Sequence, residues 1–102
     1  MNKLLRKRIL NDLTADCKVG WIKLRSNISK EHLMKQIEVA YELVRQGHEV
    51  VIEAKFNSGI RADILDITTG KIYEILKTET LEDAKEKTKK YPDYLDVEFI
   101  QA

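Results

Sequence analysis

The sequence contains one cysteine, Cys17, and one proline among its 102 residues. A single cysteine excludes an internal disulfide, and no group of cysteine and histidine residues has the spacing of zinc ligands. No apolar run approaches the roughly 18 residues that a membrane-spanning helix needs, and the N-terminal stretch lacks the apolar region of a secretory signal. We therefore expect a cytoplasmic protein that has no membrane partner.

Aromatic residues are also scarce, at 7%, whereas apolar residues make up 43% of the chain and charged residues 34%. This apolar content is sufficient for one hydrophobic core but not for two, so residues 1–102 are predicted to form a single domain. The high charged fraction predicts a water-soluble domain with heavily charged surfaces, a bias that heat-adapted proteins share.

The net charge is only +1, which argues against a protein that coats nucleic acid, but the charges are unevenly distributed. Residues 1–30 hold eight basic and two acidic side chains, a balance of +6, and residues 31–102 hold ten basic and fifteen acidic ones, a balance of −5. A basic N-terminal segment fits contact with phosphate. Alternatively, these charges only face solvent or pair with the acidic remainder. The candidates for nucleic-acid contact are Arg6, Lys7, Arg8, Arg25 and His32.

Apolar residues at helical spacing predict two amphipathic helices, over residues 2–16 and 29–46. A capped start with acids in the first turn, followed by lysines at the C-terminal end, predicts a third helix over residues 80–91. Ser29 is a suitable N-cap for the second helix, and Gly47 is a natural terminator for it. A histidine in the first turn of that helix, His32, could donate to phosphate or could simply face solvent without a role.

Runs rich in β-branched residues, separated by turn signals, predict a three-stranded antiparallel meander followed by a short last strand. The predicted strands cover residues 49–56, 61–68, 71–78 and 95–100. Alternation over residues 19–25 predicts a further strand near the N-terminus, where Trp21 either stacks on a base or occupies a core or partner-contact position. The predicted fold class is α+β (α/β in the broad sense), a mixed sheet flanked by helices.

Three acidic residues interrupt the meander: Glu53, Asp63 and Glu74. Carboxylates on half-buried strands cost free energy unless they have partners, so their recurrence suggests a site. A two-residue turn at Thr69-Gly70 makes Asp63 and Glu74 diagonal neighbours on one face, where they could hold a divalent cation. A three-residue loop at 57–59 adds Glu53 opposite Asp63, whereas a four-residue loop turns it to the far face.

The order of elements from residue 29 onward is αβββαβ, with Asp63 on the second strand and Glu74 on the third. This arrangement resembles the core of the PD-(D/E)xK nuclease superfamily: Arg61–Leu65 looks like the metal-binding aspartate segment, and Tyr73–Leu76 looks like the (D/E)xK strand. The resemblance implies a restriction-endonuclease-like core over residues 29–102, preceded by a basic helix and strand over residues 1–28. It also implies metal-dependent hydrolysis of phosphodiester bonds in DNA, or contact with RNA, with Mg²⁺ or Mn²⁺ bound by Asp63, Glu74 and Glu53.

One departure from the family pattern concerns the lysine that should stand two residues after the second acid, where this sequence has Leu76. A bulge could turn the neighbouring Lys77 inward, or Lys55 could supply the charge from another strand. A third possibility is that the catalytic lysine is lost, and the protein is then a non-catalytic protein-interaction or nucleic-acid-binding module on the same fold. A plainer alternative is that the charged residues only solvate an exposed face of the sheet.

A chain of this length offers little surface with which to grip a duplex alone, and the apolar side chains of Leu4, Leu5, Trp21 and Ile22 exceed what its small core can absorb. We therefore predict a symmetric homodimer with the N-terminal helix or residues 19–25 at the interface. Light scattering at micromolar concentration should give about twice the 11.9 kDa mass of one chain. A mass that remains at one chain across this range would contradict the prediction.

Overall fold

The computed structural model describes residues 2–77 and 80–102. The helices and strands in this part of the chain are α1 (Lys3–Asp12), α2 (Lys30–Arg45), β1 (Val50–Lys55), β2 (Arg61–Asp66), β3 (Lys71–Leu76), α3 (Leu81–Thr88) and β4 (Asp96–Gln101). From α2 onward the order is αβββαβ, as predicted. The expected end of the third strand at residue 78 lies outside the described residues.

The four strands form one mixed sheet in the order β1-β2-β3-β4. The pairs β1–β2 and β2–β3 are antiparallel, whereas β3 and β4 are parallel because the chain crosses over through α3 between them. The predicted α+β class and mixed sheet are therefore confirmed. No helix of the described residues has the length and apolar character needed to cross a membrane.

Apolar side chains cover both faces of the sheet. On one face, Ala40 and Leu43 of α2 pack against Ile52, Ile64 and Ile75. The opposite face is covered by α1 and the segment after α3, and its buried residues include Ile9, Val51, Leu65, Ile72, Tyr91 and Leu95. Removing this apolar surface from water on both faces is the main driving force for folding.

Both predicted ends of α2 are confirmed. The hydroxyl of Ser29 accepts a hydrogen bond from the backbone N–H of His32 at 3.2 Å, which satisfies one of the free donors of the first turn. Gly47 has a φ of +88°, a conformation that suits glycine and ends the helix just after its C-cap. The capped first turn holds His32 beside the sheet, 3.3 Å from Asp63 of β2.

The loop between β1 and β2 has the three-residue length that was one of the two predicted alternatives. Phe56 and Ile60 flank residues 57–59, and Lys55 stands opposite Arg61 in the antiparallel register. The same register places Glu53 opposite Asp63. The four-residue alternative, which would have turned Glu53 to the far face, is therefore wrong.

The predicted register between β2 and β3 is wrong by two residues. Leu65 pairs with Ile72 instead of Glu74, because the turn contains four residues, 67–70, and not two. The physical reason is Asp66, whose fully buried carboxylate accepts hydrogen bonds from the N–H groups of Thr68 and Thr69 and so stabilises a wider turn. A slip of two residues keeps the faces unchanged, and the corrected register brings Glu74 level with Asp63, where the regular pairing of the two strands has stopped.

Residues 19–25 do not form the strand that their alternation predicts. This segment passes the outer edge of β1, where Gly20 donates its N–H to the carbonyl of Val50 at 2.8 Å, but it does not continue the ladder. Trp21 is 63% exposed, and Ile22 and Leu24 are exposed as well. Alternating apolar residues are therefore not sufficient for a strand, because a strand also needs backbone pairing along the edge of a sheet. Here they lie in a surface segment.

Two helices are shorter than predicted. Helix α1 ends at Asp12 and not at residue 16, because Leu13 leaves the helix to form a β-bridge with Phe56 at the end of β1. Helix α3 ends at Thr88 and not at residue 91. The chain turns there so that the ring of Tyr91 enters the core and packs edge-on against Phe56 at 5.8 Å between centroids.

Candidate metal and phosphate site

An open cavity of about 510 Å³ lies where the start of α2 meets strands β1 to β3. Its floor holds two carboxylates and an imidazole, from Glu53, Asp63 and His32. Four basic side chains also line it: Arg25, Arg61, Lys77 and Lys87. A cavity with an anionic floor and cationic walls can bind a cation and an anion side by side.

Glu53 holds an unusual backbone position in the middle of β1. Its φ is +55°, which a residue with a side chain adopts only when its surroundings enforce it. Strict alternation would turn Glu53 away from Ile52, yet its carboxylate reaches Gln36 of α2, on the face where Ile52 packs. The distorted backbone therefore directs a buried carboxylate, with a residue exposure of 2%, into the cavity.

The carboxylate of Glu53 has a different neighbour at each oxygen. Its Oε2 accepts a hydrogen bond from Gln36 Nε2 at 2.8 Å, and Gln36 also donates to the backbone carbonyl of Asp63 at 3.1 Å. Its Oε1 lies 2.7 Å from Arg25 Nε and 3.9 Å from Arg61 Nη1. The Oε1–Nε contact is close but not aligned as a hydrogen bond, so Oε1 is a buried anionic atom without a hydrogen-bond donor.

Asp63 lies at the point where β2 and β3 separate. Regular pairing of these strands stops at Ile64 and Tyr73, and the Oδ2 atom of Asp63 accepts the N–H of Ile75 at 2.8 Å. The side chain thus takes the place of a backbone acceptor and keeps the strands apart. Its other oxygen, Oδ1, lies 3.3 Å from His32 Nε2 and faces the cavity.

One ligand atom from each of His32, Glu53 and Asp63 lies within 4.8 Å of the others. Two of the three residues contribute atoms that are buried without a hydrogen-bond partner, His32 Nε2 and Glu53 Oε1, and both lie at the cavity. Burial of such atoms costs free energy that a bound cation would recover. A donor set of two carboxylates and one imidazole is suitable for Mn²⁺ and related divalent cations.

Glu74, the third acid predicted to bind metal, is beside Asp63 but outside this group of three. Its side chain is 95% buried, with Oε1 against the hydroxyl of Tyr91 and Oε2 3.6 Å from Lys87 Nζ. Burial and then the charge and hydrogen bonding of Asp63 raise the pKa of Glu74 to about 9, against a smaller opposing effect of Lys87. Glu74 therefore carries a proton at neutral pH in the metal-free protein.

The hydrogen bonds of Tyr91 agree with a protonated Glu74. The Tyr91 hydroxyl contacts both Glu74 Oε1 and the carbonyl oxygen of Arg61, yet it has one hydrogen to donate. If Glu74 donates its proton to the phenolic oxygen, Tyr91 can donate its own hydrogen to the carbonyl at 2.9 Å. Both contacts are satisfied only in this arrangement.

The structure places the two candidate lysines differently. Leu76 is buried at the end of β3, whereas Lys77 lies just after the strand on the same side as Ile75, two residues earlier, and both line the cavity. Lys55 lies at the end of β1, where its backbone contacts Cys17, and its side chain is not part of the cavity wall that the described residues form. Geometry thus favours Lys77 over Lys55 as the lysine of the site.

The five predicted nucleic-acid contacts fall into two groups. Arg25 and His32 lie in the cavity, whereas Arg6, Lys7 and Arg8 belong to α1, which covers the opposite face of the sheet. On α1, Arg6 makes a two-pronged ion pair with Glu49 at 2.8 and 3.1 Å, and Arg8 stacks on the ring of Tyr94. Part of the basic segment therefore has intramolecular partners, as the alternative interpretation of its charge expected.

Some residues of the site carry little signal in the sequence. No motif indicates Gln36 or Lys87 as site residues, and the position of His32 in the first turn of its helix indicates only a phosphate donor. The spacing of His32 and Gln36, four residues apart, places them on one side of α2 and could have indicated a shared role. No local pattern marks Lys87, because the chain has four lysines between residues 85 and 90.

No protein-family model, curated protein or solved structure matches this chain. The site therefore has to be interpreted from its own chemistry.

The raised pKa of Glu74 gives a prediction for stability in metal-free buffer. The unfolded chain loses this proton near pH 4.5 and the folded protein near pH 9, so the folded state binds more protons in between and stability falls as the pH rises. Glu74→Gln removes this loss and should stabilise the protein at pH 8 by about 1 kcal/mol or more, roughly 4–8 °C in melting temperature. Urea denaturation at pH 5 and pH 8 measures the effect.

The matched control is Glu86→Gln, which changes an exposed glutamate of α3 that pairs only with Lys89 among the described residues. Its effect should stay within about 0.5 kcal/mol at both pH values. The prediction is wrong if wild type and Glu74→Gln lose stability in parallel between pH 5 and pH 8.

Proposed function

We propose that this protein is a divalent-cation-dependent phosphodiesterase of the nuclease type, with Mn²⁺ or Mg²⁺ bound by His32, Glu53 and Asp63. The observation that carries the proposal is the position of this group at the floor of an open cavity whose walls hold four basic side chains. A phosphodiester in contact with a metal ion needs this combination of adjacent negative and positive groups.

The cation would supply a water molecule of lowered pKa and would neutralise charge on a bound phosphate oxygen. The residues of the chain perform the remaining tasks. Gln36 holds the carboxylate of Glu53 and the backbone of Asp63 at a fixed distance, which orients both acids toward one point. The hydrogen bond from Ile75 to Asp63 fixes the second acid in the same way.

The basic side chains would bind the phosphodiester itself. Lys77 and Lys87 lie on the side of the cavity formed by β3 and α3, and Arg25 and Arg61 lie beside Glu53. A lysine at the cavity can orient water and stabilise the charge that develops on the phosphate in the transition state. Such contacts to phosphate bind the backbone without selecting a base sequence.

The arrangement of the acids supports a relationship to the PD-(D/E)xK nucleases and a restriction-endonuclease-like core. Asp63 and Glu74 lie on adjacent strands within an αβββαβ order. Two features depart from that pattern: Leu76 replaces the lysine, and Glu74 contacts Tyr91 and Lys87 while His32 and Glu53 face the cavity with Asp63. In this proposal Lys77 takes the place of the motif lysine.

The second candidate function is a non-catalytic protein-interaction or nucleic-acid-binding module on the same fold. The observation that favours it is the buried Leu76 at the lysine position, with an exposure of only 7%. A module of this kind would keep the basic walls of the cavity but would not cleave a phosphodiester. Binding and cleavage therefore have to be measured separately.

Metal binding is tested by the response of the melting temperature to Mn²⁺. A ligand that binds only the folded state adds RT ln(1 + [L]/Kd), about 2.7 kcal/mol at one hundred times Kd. We expect an increase of several degrees for wild type and little or none for Asp63→Asn, which removes a charged ligand. Asp93→Asn, an exposed change on the loop before β4, is the control and should keep the full response. A melting temperature of wild type that millimolar Mn²⁺ leaves unchanged both with and without a DNA duplex would rule out the metal site.

Cleavage is tested with supercoiled plasmid and Mn²⁺, comparing Lys77→Ala with Lys55→Ala. Loss of a group that stabilises developing charge costs about 10²–10³ in rate, so Lys77→Ala should lower cleavage by that factor and keep the Mn²⁺ response. Lys55→Ala should cleave like wild type because its side chain lies outside the cavity wall. Duplex binding by wild type with no cleavage would favour the non-catalytic module.

A further inference from the structure

Arg25 reaches the floor of the cavity from a segment without regular secondary structure. Its Nε atom lies 2.7 Å from Glu53 Oε1, and its side chain is 32% exposed whereas that of Glu53 is 1% exposed. One end of this ion pair is therefore buried in β1, and the other belongs to a partly exposed side chain on a segment that the sheet does not hold in a ladder.

The guanidinium of Arg25 contacts Glu53 Oε1, the oxygen that would bind a metal ion at this site. Glu53 Oε1 is the free atom of that carboxylate, because Oε2 is already hydrogen-bonded to Gln36. A divalent cation at Oε1 and a guanidinium 2.7 Å from the same oxygen would repel each other at short range. Metal ion and Arg25 therefore compete for Glu53.

A phosphate group offers Arg25 another partner. Guanidinium binds phosphate through two parallel hydrogen bonds, and its contact with Glu53 lacks even one aligned bond. Arg25 lies on the wall of the same open cavity in which a phosphodiester would lie. If Arg25 moved from Glu53 to the phosphate, Arg25 would lie beside the phosphate and the metal ion beside Glu53. Glu53 Oε1 would then be available to the metal ion.

We propose that Arg25 couples the two binding events of this site: a phosphodiester draws Arg25 away from Glu53, and the released Glu53 oxygen then binds the divalent cation. The proposal rests on the proposed function, because it concerns the same metal ligands. In this role Arg25 is a positioning residue that limits metal binding until the polyanion is present. Thermodynamic linkage requires the reverse effect as well, so the cation must tighten phosphodiester binding by the same factor.

The test measures the affinity of a short fluorescein-labelled DNA duplex by anisotropy, with and without Mn²⁺ at constant ionic strength, and checks on a gel that the duplex remains uncut. Isothermal titration of the protein alone gives its Mn²⁺ affinity. Coupling between two sites commonly amounts to about 5-fold to 150-fold, so Mn²⁺ should tighten duplex binding by wild type at least about fivefold.

Arg25→Gln should bind Mn²⁺ more tightly than wild type in the absence of duplex, because Glu53 Oε1 no longer has a competing cation. The same variant should lose most of the tightening that Mn²⁺ produces on duplex binding. Arg45→Gln makes the same substitution at the far end of α2, where Arg45 pairs with the exposed Glu42, and should keep wild-type coupling. If Arg25→Gln does not fold, Arg25→Met retains the apolar stem without the charge and carries the same expectation.

The outcomes separate this inference from the proposed function. If wild type binds Mn²⁺ but Arg25→Gln or Arg25→Met keeps both the Mn²⁺ affinity and the coupling of wild type, Arg25 is not the coupling residue, and the metal site remains. If wild type binds Mn²⁺ without any coupling to duplex, the inference is again wrong and the metal site again remains. If wild type binds no Mn²⁺ with or without duplex, both the inference and the proposed function are wrong.

Discussion

The burial of one carboxylate, that of Glu53, is the constraint on which the site depends. An ionised carboxylate inside a sheet is stable only when hydrogen bonds and opposite charges replace the water that it loses. Gln36 and Arg25 are those replacements, and each comes from outside the sheet, one from α2 and one from the segment before it. The positive φ of Glu53 is retained because these partners hold its side chain on the side of α2.

The same requirement extends across the next strand. Asp63 uses one oxygen to accept the backbone N–H of Ile75 and the other to face His32, so the strands separate around it. Glu74 is then buried next to an existing negative charge, and its raised pKa keeps it neutral through its contact with Tyr91. Three acids can lie together in this small domain because each has a different compensation. Glu53 is paired with Arg25, Asp63 accepts a backbone N–H, and Glu74 is protonated.

Local chemistry made much of this fold predictable from the sequence, including the caps of α2 and the order of the elements from α2 onward, whereas it left the loop at 57–59 open between three and four residues. The β2–β3 register was not predictable from its turn signal, since the buried Asp66 stabilises a wider turn through its side chain. The strand predicted over residues 19–25 failed for lack of backbone pairing. Within the site, Asp63 and Glu53 could be placed by strand register, but His32 reaches them only through the packing of α2 on the sheet.

The most direct test of the central claim is the location of Mn²⁺ by anomalous X-ray diffraction from crystals grown with the ion and a short DNA duplex. The account predicts one strong anomalous peak bounded by His32 Nε2, Glu53 Oε1 and a carboxylate oxygen of Asp63, with the guanidinium of Arg25 turned to phosphate. A bound duplex with no peak among these three residues, and with Arg25 still against Glu53, would contradict it.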